Sequence, residues 1–437
     1  LRRELHRLRA SRRRAVREGQ LPWFSFASQF ADVIADGGFD LVVGNPPWVR
    51  AETLAPARRA MLARRYRSWR GGGSTGFRHQ PDLAVAFLER AIELSAPAGA
   101  LALVLPSKVA TAGYGSGIRG LLTDRATIHA VVPLDSSGEA CFAATVYPMA
   151  LIATRRQAPP GRLVRSTLEP SPGGTPLAFY GEGPWIMRGG RAPAVVESLT
   201  TAHPLFGQLY RCRLGVKTGA DRVFIDPSDV EPTLLRPLLR GRDVRAFHAS
   251  PRHTLLWTCD DDGTPLTALP PRAAEWIASH RRLLLARRDY QDGPAWQLFR
   301  TRGATERFRV VWPDLSRRLV VAPLIGTLRR AIPLNSCYVA SMPERDELLA
   351  VTGWLNAPLV RAIARAGTTE ASGGFRRFNA TVVGRIPFPL AARAHPALVG
   401  LASAGIRGAP SEGDLDAVAS DLLGLDRRDR QALHALA

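Results

Sequence analysis

The sequence predicts an α/β protein in two parts: an open sheet with helices packed on it, then a mixed α+β domain. Three observations carry this expectation. Phe39, Leu41, Val42 and Val43 form a short apolar run, and Gly44-Asn45-Pro46-Pro47 ends it, because proline lacks a backbone donor and has a fixed φ. Leu83, Ala86, Phe87, Ala91 and Leu94 recur at helical spacing and lead to the wholly apolar Leu101 to Leu105, stopped by Pro106, as a helix followed by a buried strand would. Beyond a Pro/Gly-rich stretch, short strands, turns and Trp257, Trp276, Trp296, Trp312 and Trp354 indicate mixed α+β structure.

At 437 residues the chain can bury a large core and hold two or three domains. Its formal charge is +21, carried by 57 arginines and only two lysines, Lys108 and Lys217. With abundant Ala, Gly and Pro, this suggests a GC-rich genome, which explains Arg over Lys but not basic over acidic. Residues 1–20 hold 8 basic and 2 acidic side chains, 21–200 hold 18 and 13, 201–395 hold 29 and 17, and 396–437 hold 4 and 6. Such an excess favours a polyanionic partner, nucleic acid rather than a membrane surface, since no amphipathic anchor accompanies it. Cys141, Cys212, Cys259 and Cys337 lie far apart, so neither a disulfide framework nor a zinc site is indicated, and no metal is expected. No apolar run is long enough to span a bilayer, and the basic first twenty residues lack the apolar core of a signal peptide. A reducing cytoplasm fits this composition.

In chain order, residues 1–18 read as one Arg-rich helix with Leu5 and Leu8 on a narrow stripe, a solvated face with phosphate contact as the alternative. The Phe39 strand is expected to be buried and to deliver Asn45 and Trp48 to a strand's carboxyl end, where open α/β sheets bind ligands. Pro46 and Pro47 stiffen the backbone. The Asn45 amide oxygen and the Pro46 carbonyl then act as two acceptors beside the flat face of Trp48, a combination suited to an exocyclic amine on a planar base. The competing reading is a plain turn with a core tryptophan.

Residues 50–78 carry Arg50, Arg58, Arg59, Arg64, Arg65, Arg67, Arg70 and Arg78 against the single acid Glu52, interleaved with Tyr66, Trp69 and Phe77. Gly71-Gly72-Gly73 suggests a mobile loop there. Arg50, Arg64 and Arg65 are expected to contact DNA backbone, the alternative being an ordinary basic surface helix. Ile128 to Pro133 and Val146 to Ala153 read as further strands, with Phe142 in the loop before the second. The Pro/Gly-rich residues 156–200 read as a packed linker at a domain boundary. In the domain beyond it, Arg240, Arg242, Arg376 and Arg377 are candidate DNA-backbone contacts, each weighed against a solvated surface charge. From Glu412, two short helices with a slight negative charge suggest a packing or capping role.

FDLVVGNPPW, Phe39 to Trp48, resembles motif IV of the amino-group DNA methyltransferases that modify adenine N6. Residues Gln80 to Val109 resemble the helix and strand that follow it in the gamma class, which includes type IIG restriction-modification proteins and phage-defence methylases, and Gly138 to Arg155 resemble motif VIII. Leu209 to Ile225, Leu234 to Phe247, Tyr338 to Gly367 and Phe378 to Pro389 resemble parts of a type IIG target-recognition domain.

The resemblance implies a partial Rossmann-like methyltransferase sheet at 21–155, behind a basic helix at 1–20. After the linker at 156–200 it implies a target-recognition domain at 201–395 and a helical tail at 396–437. It further implies S-adenosylmethionine as cofactor and double-stranded DNA as partner. Asn45, Pro46, Pro47 and Trp48 would form the catalytic loop, Trp48 and Phe142 (with Tyr147 as fallback) would stack on a flipped base, and Asp82 and Phe87 would lie beside the cofactor. No strand, Gly-x-Gly turn and helix precede Asn45, so the chain is expected to be the carboxyl-terminal part of a longer protein, working with that upstream portion or with other restriction or defence subunits. N4-cytosine transfer, methylation of protein glutamine or ribosomal RNA, a non-catalytic DNA-binding or specificity protein, and an attached endonuclease are the rival readings. No strand-borne acidic pair with a nearby lysine supports the last.

Overall fold

Parallel pairing of two apolar segments starts the fold. Phe39–Gly44 (β1) runs beside Ser95–Pro106 (β2), with Val43 opposite Ala102 and Gly44 opposite Leu103. A parallel pair needs a crossover, and here it contains Pro56–Arg65 (α1), Arg67–Arg70 (α2) and Leu83–Leu94 (α3). Ser116–Arg125 (α4), Thr127–Pro133 (β3) and Pro148–Thr154 (β4) complete a four-stranded sheet of order β1-β2-β4-β3, in which β4 is antiparallel to both neighbours. The computed structural model describes residues 24–70, 81–134, 148–157, 191–368 and 374–436, with positions 6, 10, 13, 183, 185, 370 and 371. The chain divides into two compact units, Leu1–Gly174 with Phe179–Met187, and Thr175–Ala178 with Arg188–Ala437.

In the first unit the core lies on one side of the sheet. Leu101, Leu103 and Leu105 of β2 and Met149, Leu151 and Ala153 of β4 point to the side that holds Leu88 and Ile92 of α3 and Ile118 and Leu122 of α4, all buried. The opposite side is open. Val43 is 68% exposed, and Leu41 and Ile152 are exposed as well. The expectation of a buried Phe39 strand therefore fails for this face, because α3 and α4 cover only the other side of the sheet, and Ile152 of the central β4 is exposed on the same side as Val43. Gly38 has φ +123°, and a Cβ there would collide with the Leu94 carbonyl, so glycine lets the chain enter β1 tight against the end of α3.

The second unit is built from small sheets. Arg213–Leu214 (β5), Phe308–Pro313 (β10), Ala322–Pro323 (β12) and Cys337–Met342 (β14) form one of order β12-β10-β14-β5. Leu235–Leu239 (β6), His253–Leu256 (β9) and Ile332–Pro333 (β13) form a second, while Val244–Arg245 (β7) pairs with His248–Ala249 (β8). Leu315–Ser316 (β11), Glu370–Ala371 (β15) and Phe375–Arg377 (β16) form a third sheet of order β11-β16-β15. Trp257, Trp312 and Trp354 are fully buried, as large aromatics in a mixed core should be. The buried Arg309 spends its guanidinium on the carbonyls of Ala304, Arg329 and Ala331, and desolvation pushes its pKa down to about 10.

The longer helices of this unit, Ala192–Ala202 (α5), Pro271–Ser279 (α6), Arg345–Asn356 (α7), Pro358–Ala366 (α8), Pro396–Ile406 (α9), Glu412–Leu422 (α10) and Arg427–His434 (α11), include the tail. That tail packs on α7 and α8. Its hub is Asp416, buried, whose carboxylate accepts from Leu359 N at 2.9 Å, Arg430 Nη2 at 2.8 Å and His434 Nε2 at 2.9 Å. Asp416→Ala strips three donors of their acceptor and leaves the buried Leu359 amide unmet. A loss of about 1–3 kcal/mol is expected, read as a lower urea midpoint. An unchanged midpoint would remove Asp416 from this role.

Candidate active site

The loop after β1 is held at both ends. Its entry is paired through Gly44 and Leu103. At its exit Leu83 N donates to the Val49 carbonyl at 2.8 Å, Ala51 N donates to the Pro81 carbonyl at 3.0 Å, and Arg50 bridges to Asp82. Val49 and Leu54 pack against a small core of Ala51, Leu62, Trp69, Leu83 and Ala86. Between these fixed ends Asn45 is exposed, Pro46 buried, Pro47 exposed and Trp48 half-buried. The arrangement is a short stiff loop that presents an amide, with an indole three residues along.

Asp82 takes part in this clamp. It caps α3, its Oδ1 accepting from Ala84 N at 3.0 Å, and its carboxylate also accepts from the Val49 amide. Burial pushes the Asp82 carboxyl up, while the two backbone amides, Arg50 and Lys108 pull the other way. The same burial, aided by Asp82, holds the Tyr114 phenol far above its usual range. A carboxyl raised in the folded state contributes stability that is complete below its unfolded pKa and is lost as pH rises through the folded value. Asp82→Asn and Asp82→Ala both remove the titrating carboxyl, so the deficit of each relative to wild type is expected to shrink by the same amount as pH rises through the folded value, with Asp82→Ala lower throughout by the lost cap, about 1 kcal/mol. Urea titrations from acid to neutral pH check this, and deficits that do not shrink as pH rises would refute it.

Glu89 secures the Arg-rich segment. It lies buried on α3 and accepts from Arg67 N at 3.0 Å, Ser68 N at 2.8 Å and the Ser68 hydroxyl, so one helix caps the start of α2. One turn on, Arg65 forks onto Glu93, Nη1 to Oε1 at 2.9 Å and Nη2 to Oε2 at 2.5 Å. That hydrogen bond holds the Arg65 guanidinium above its ordinary pKa, against some desolvation. Arg65 was expected to touch DNA backbone. It is exposed and forms a clamp between α1 and α3, because a bidentate carboxylate lies within its reach. Trp69 is core rather than surface. Arg50 and Arg64 are exposed. Neither Glu89 nor Glu93 stood out in the sequence; the signal available was a pair of acids one turn apart on a helix whose other residues, Arg90 apart, are apolar.

Phe87 is 47% exposed between the buried Ala86 and Leu88, so its ring is an open plate and not core. Asp82, paired with Phe87 in expectation, has its carboxylate taken by backbone amides. Phe142 lies outside the described residues, as does Tyr147. In the second unit Arg240 is half-buried, Arg242 is exposed with Nη2 at 3.2 Å from His253 Nε2, and Arg377 is exposed and paired with Asp314 at 3.1 Å. Arg376 is only 5% exposed and donates to Thr368 Oγ1 at 3.3 Å, which removes it from the candidate DNA contacts; strand alternation turns it inward where Arg377 turns out. Among the described residues no cluster of His, Cys, Asp or Glu could hold a metal ion, and no helix is long and apolar enough to cross a membrane.

Comparison with known proteins bears on this site. Residues 8–142 match the family model of the Eco57I restriction-modification methylases, a span that contains the whole Asn45 to Trp48 loop. The chain is 26% identical over 387 residues to the type II methyltransferase M.PaeR7I of Pseudomonas aeruginosa, covering 81% of this chain and 65% of that protein. It is 26% identical over 395 residues to the type II methyltransferase M.BstVI of Geobacillus stearothermophilus, covering 80% and 67%. The fold is similar to that of the type IIL restriction-modification enzyme MmeI, solved in complex with DNA, with a TM-score of 0.58 at 15% identity over 91% of this chain and 56% of the other. The chain thus spans about two thirds of those curated relatives and a little over half of MmeI.

Proposed function

We propose that this chain carries the methyl-transfer and DNA-recognition portions of a restriction-modification DNA methyltransferase that modifies the N6 amino group of adenine. The observation that carries the reading is the Asn45-Pro46-Pro47-Trp48 loop, fixed at the carboxyl end of a parallel-paired strand inside the segment that matches restriction-modification methylases. S-adenosylmethionine supplies the electrophilic methyl group in such chemistry. The open ring of Phe87 fits an adenine of that cofactor better than the engaged carboxylate of Asp82 fits its polar groups.

The chain's own residues address the difficulty of the reaction. The adenine amine is a weak nucleophile because its lone pair is delocalised into the ring, and attack requires the nitrogen to become more tetrahedral. Asn45 Oδ1 and the Pro46 carbonyl accept the two amino hydrogens and stabilise the positive charge that grows on nitrogen in the transition state. A base inside a duplex cannot reach such a loop, so the adenine leaves the stack, and the Trp48 indole offsets part of the few kcal/mol of lost stacking. Asn rather than Ser at position 45 favours adenine over cytosine N4.

The test is methyl-labelled S-adenosylmethionine with duplex DNA, followed by digestion to nucleosides. Label in N6-methyladenine is the expected result. Label in N4-methylcytosine transfers the reaction to the other amino base. No label in DNA would overturn the proposal.

A further inference from the structure

Lysine is nearly absent from this chain, which carries 57 arginines and two lysines. Where composition favours a guanidinium so heavily, an ammonium points to a place where a compact charge with three rotatable donors does what a flat fork does not. Lys217 Nζ is paired with Asp289. Lys108 stands beside the Asn45 loop. Because β1 and β2 are parallel, both bring their carboxyl ends to the same sheet edge, Asn45 just past Gly44 and Lys108 just past Pro106. Asp82 connects the two: its carboxylate accepts from the Val49 amide at the exit of the loop and lies within electrostatic range of both Arg50 and Lys108.

Lys108 is exposed on a braced backbone. It opens the one-turn helix Lys108–Thr111, whose Val109 and Ala110 are fully buried. The buried Arg119 of α4 donates through Nη1 to the Val109 carbonyl at 2.7 Å and to the Ala112 carbonyl at 2.9 Å, and Trp185 N donates to the Ala110 carbonyl at 2.8 Å. A Cβ at Gly115 would collide with the Val109 carbonyl, so glycine lets the next turn close against this one. An exposed side chain on so fixed a turn has a defined reach. Arg50 and Lys108 set two positive charges against the one carboxylate of Asp82, an excess that matches the single negative charge of a phosphodiester.

We propose that Lys108 anchors the phosphate flanking the extruded adenine and so sets the backbone of that nucleotide where its amine meets Asn45. A base leaves the stack by rotation about its own backbone, and a charge fixed beside the receiving loop holds that backbone in the rotated state. Ammonium serves such a contact as a point charge. Phosphate contacts position a duplex without reading its sequence, so Lys108 contributes to placement at every site the chain modifies. The assignment rests on the proposal that the chain is a DNA methyltransferase. It names a group that places the target nucleotide, where Asn45 and Trp48 receive its base.

The test compares the full chain with Lys108→Met and Lys108→Arg on the duplex that wild type labels, a neutral methylphosphonate replacing one phosphate at a time on either side of the labelled adenine. Thermal melts confirm folding, and Lys108→Gln takes the place of the methionine variant should that one melt early. Lys108→Met is expected to lower kcat/KM for DNA by roughly 10–150-fold, the range of a hydrogen bond to a charged group. The slope of log Kd for DNA against log salt should fall by about one. At one methylphosphonate position wild type is expected to suffer the same loss and Lys108→Met no further loss. Lys108→Arg keeps the charge and should recover the slope but only part of the rate. An unchanged slope, with methylphosphonate losses equal in wild type and Lys108→Met at every position, overturns the assignment and leaves the proposed methylation standing. A loss in Lys108→Met confined to the affinity for S-adenosylmethionine overturns it as well and gives the ammonium to the cofactor. A wild-type chain that labels no DNA overturns both.

Discussion

Asn45→Ala is expected to lower methyl transfer to duplex DNA by at least about 10²–10³-fold, the scale seen when a donor or acceptor aimed at developing charge is removed. The side chain is exposed at the end of β1, so its truncation leaves no core cavity, and the thermal midpoint should stay close to wild type. Because the amide acts mainly on charge that appears during transfer, the deficit belongs in kcat and not in the affinity for DNA. Asn45→Asp keeps an acceptor oxygen and should be impaired less than alanine. Single-turnover rates alongside equilibrium DNA binding separate these effects. Turnover within tenfold of wild type for Asn45→Ala would end the case for this residue as the group that receives the amine.

Trp48→Ala is the second large effect. Stacking of a base on an aromatic plate is worth about 1–3 kcal/mol, so loss of the indole should reduce transfer by roughly 5–150-fold. Trp48→Phe and Trp48→Tyr retain a π face and are expected to fall well short of that. Trp48 is half-buried, and a purely packing role predicts a different pattern: similar deficits for all three variants, tracking their loss of thermal stability. Fluorescence of 2-aminopurine at the target position adds an independent readout, since an extruded base with no plate to rest on should spend less time out of the helix in Trp48→Ala while Phe and Tyr keep most of the signal.

The Asn45 to Trp48 loop was legible because the restrictions that shape it are local. Two successive prolines remove two successive backbone donors, so the location of Asn45 at a strand's end follows from four consecutive residues. The same holds for α3, whose apolar spacing and Asp82 cap announce a helix that the structure runs from Leu83 to Leu94. The face of β1 could not be read in this way. Leu41 and Val43 are as apolar as Leu101 and Leu103, yet the first pair is exposed and the second buried, because what lies over a strand is chosen by the rest of the sheet. The arginines show the limit most clearly. Arg64 and Arg65 are neighbours in one basic run, and so are Arg376 and Arg377. In the fold Arg65 is exposed but tied to Glu93, Arg376 is buried, Arg377 is exposed but paired with Asp314, and Arg64 is exposed.

By itself, then, the sequence determined the strand that ends at an Asn-Pro-Pro-Trp loop, the capped helix and strand that follow it, a tryptophan-rich second part and a basic balance. All of these depend on backbone restrictions and periodicities that act over a few residues. Only the tertiary structure decided which cations are engaged, that Asp82 holds the end of the loop at Val49, that Glu89 fixes the start of α2, and that Asp416 ties the tail into the second unit. A long charged side chain takes its partner from whatever the folded chain brings within about 4 Å, and that neighbourhood is set by contacts remote in sequence.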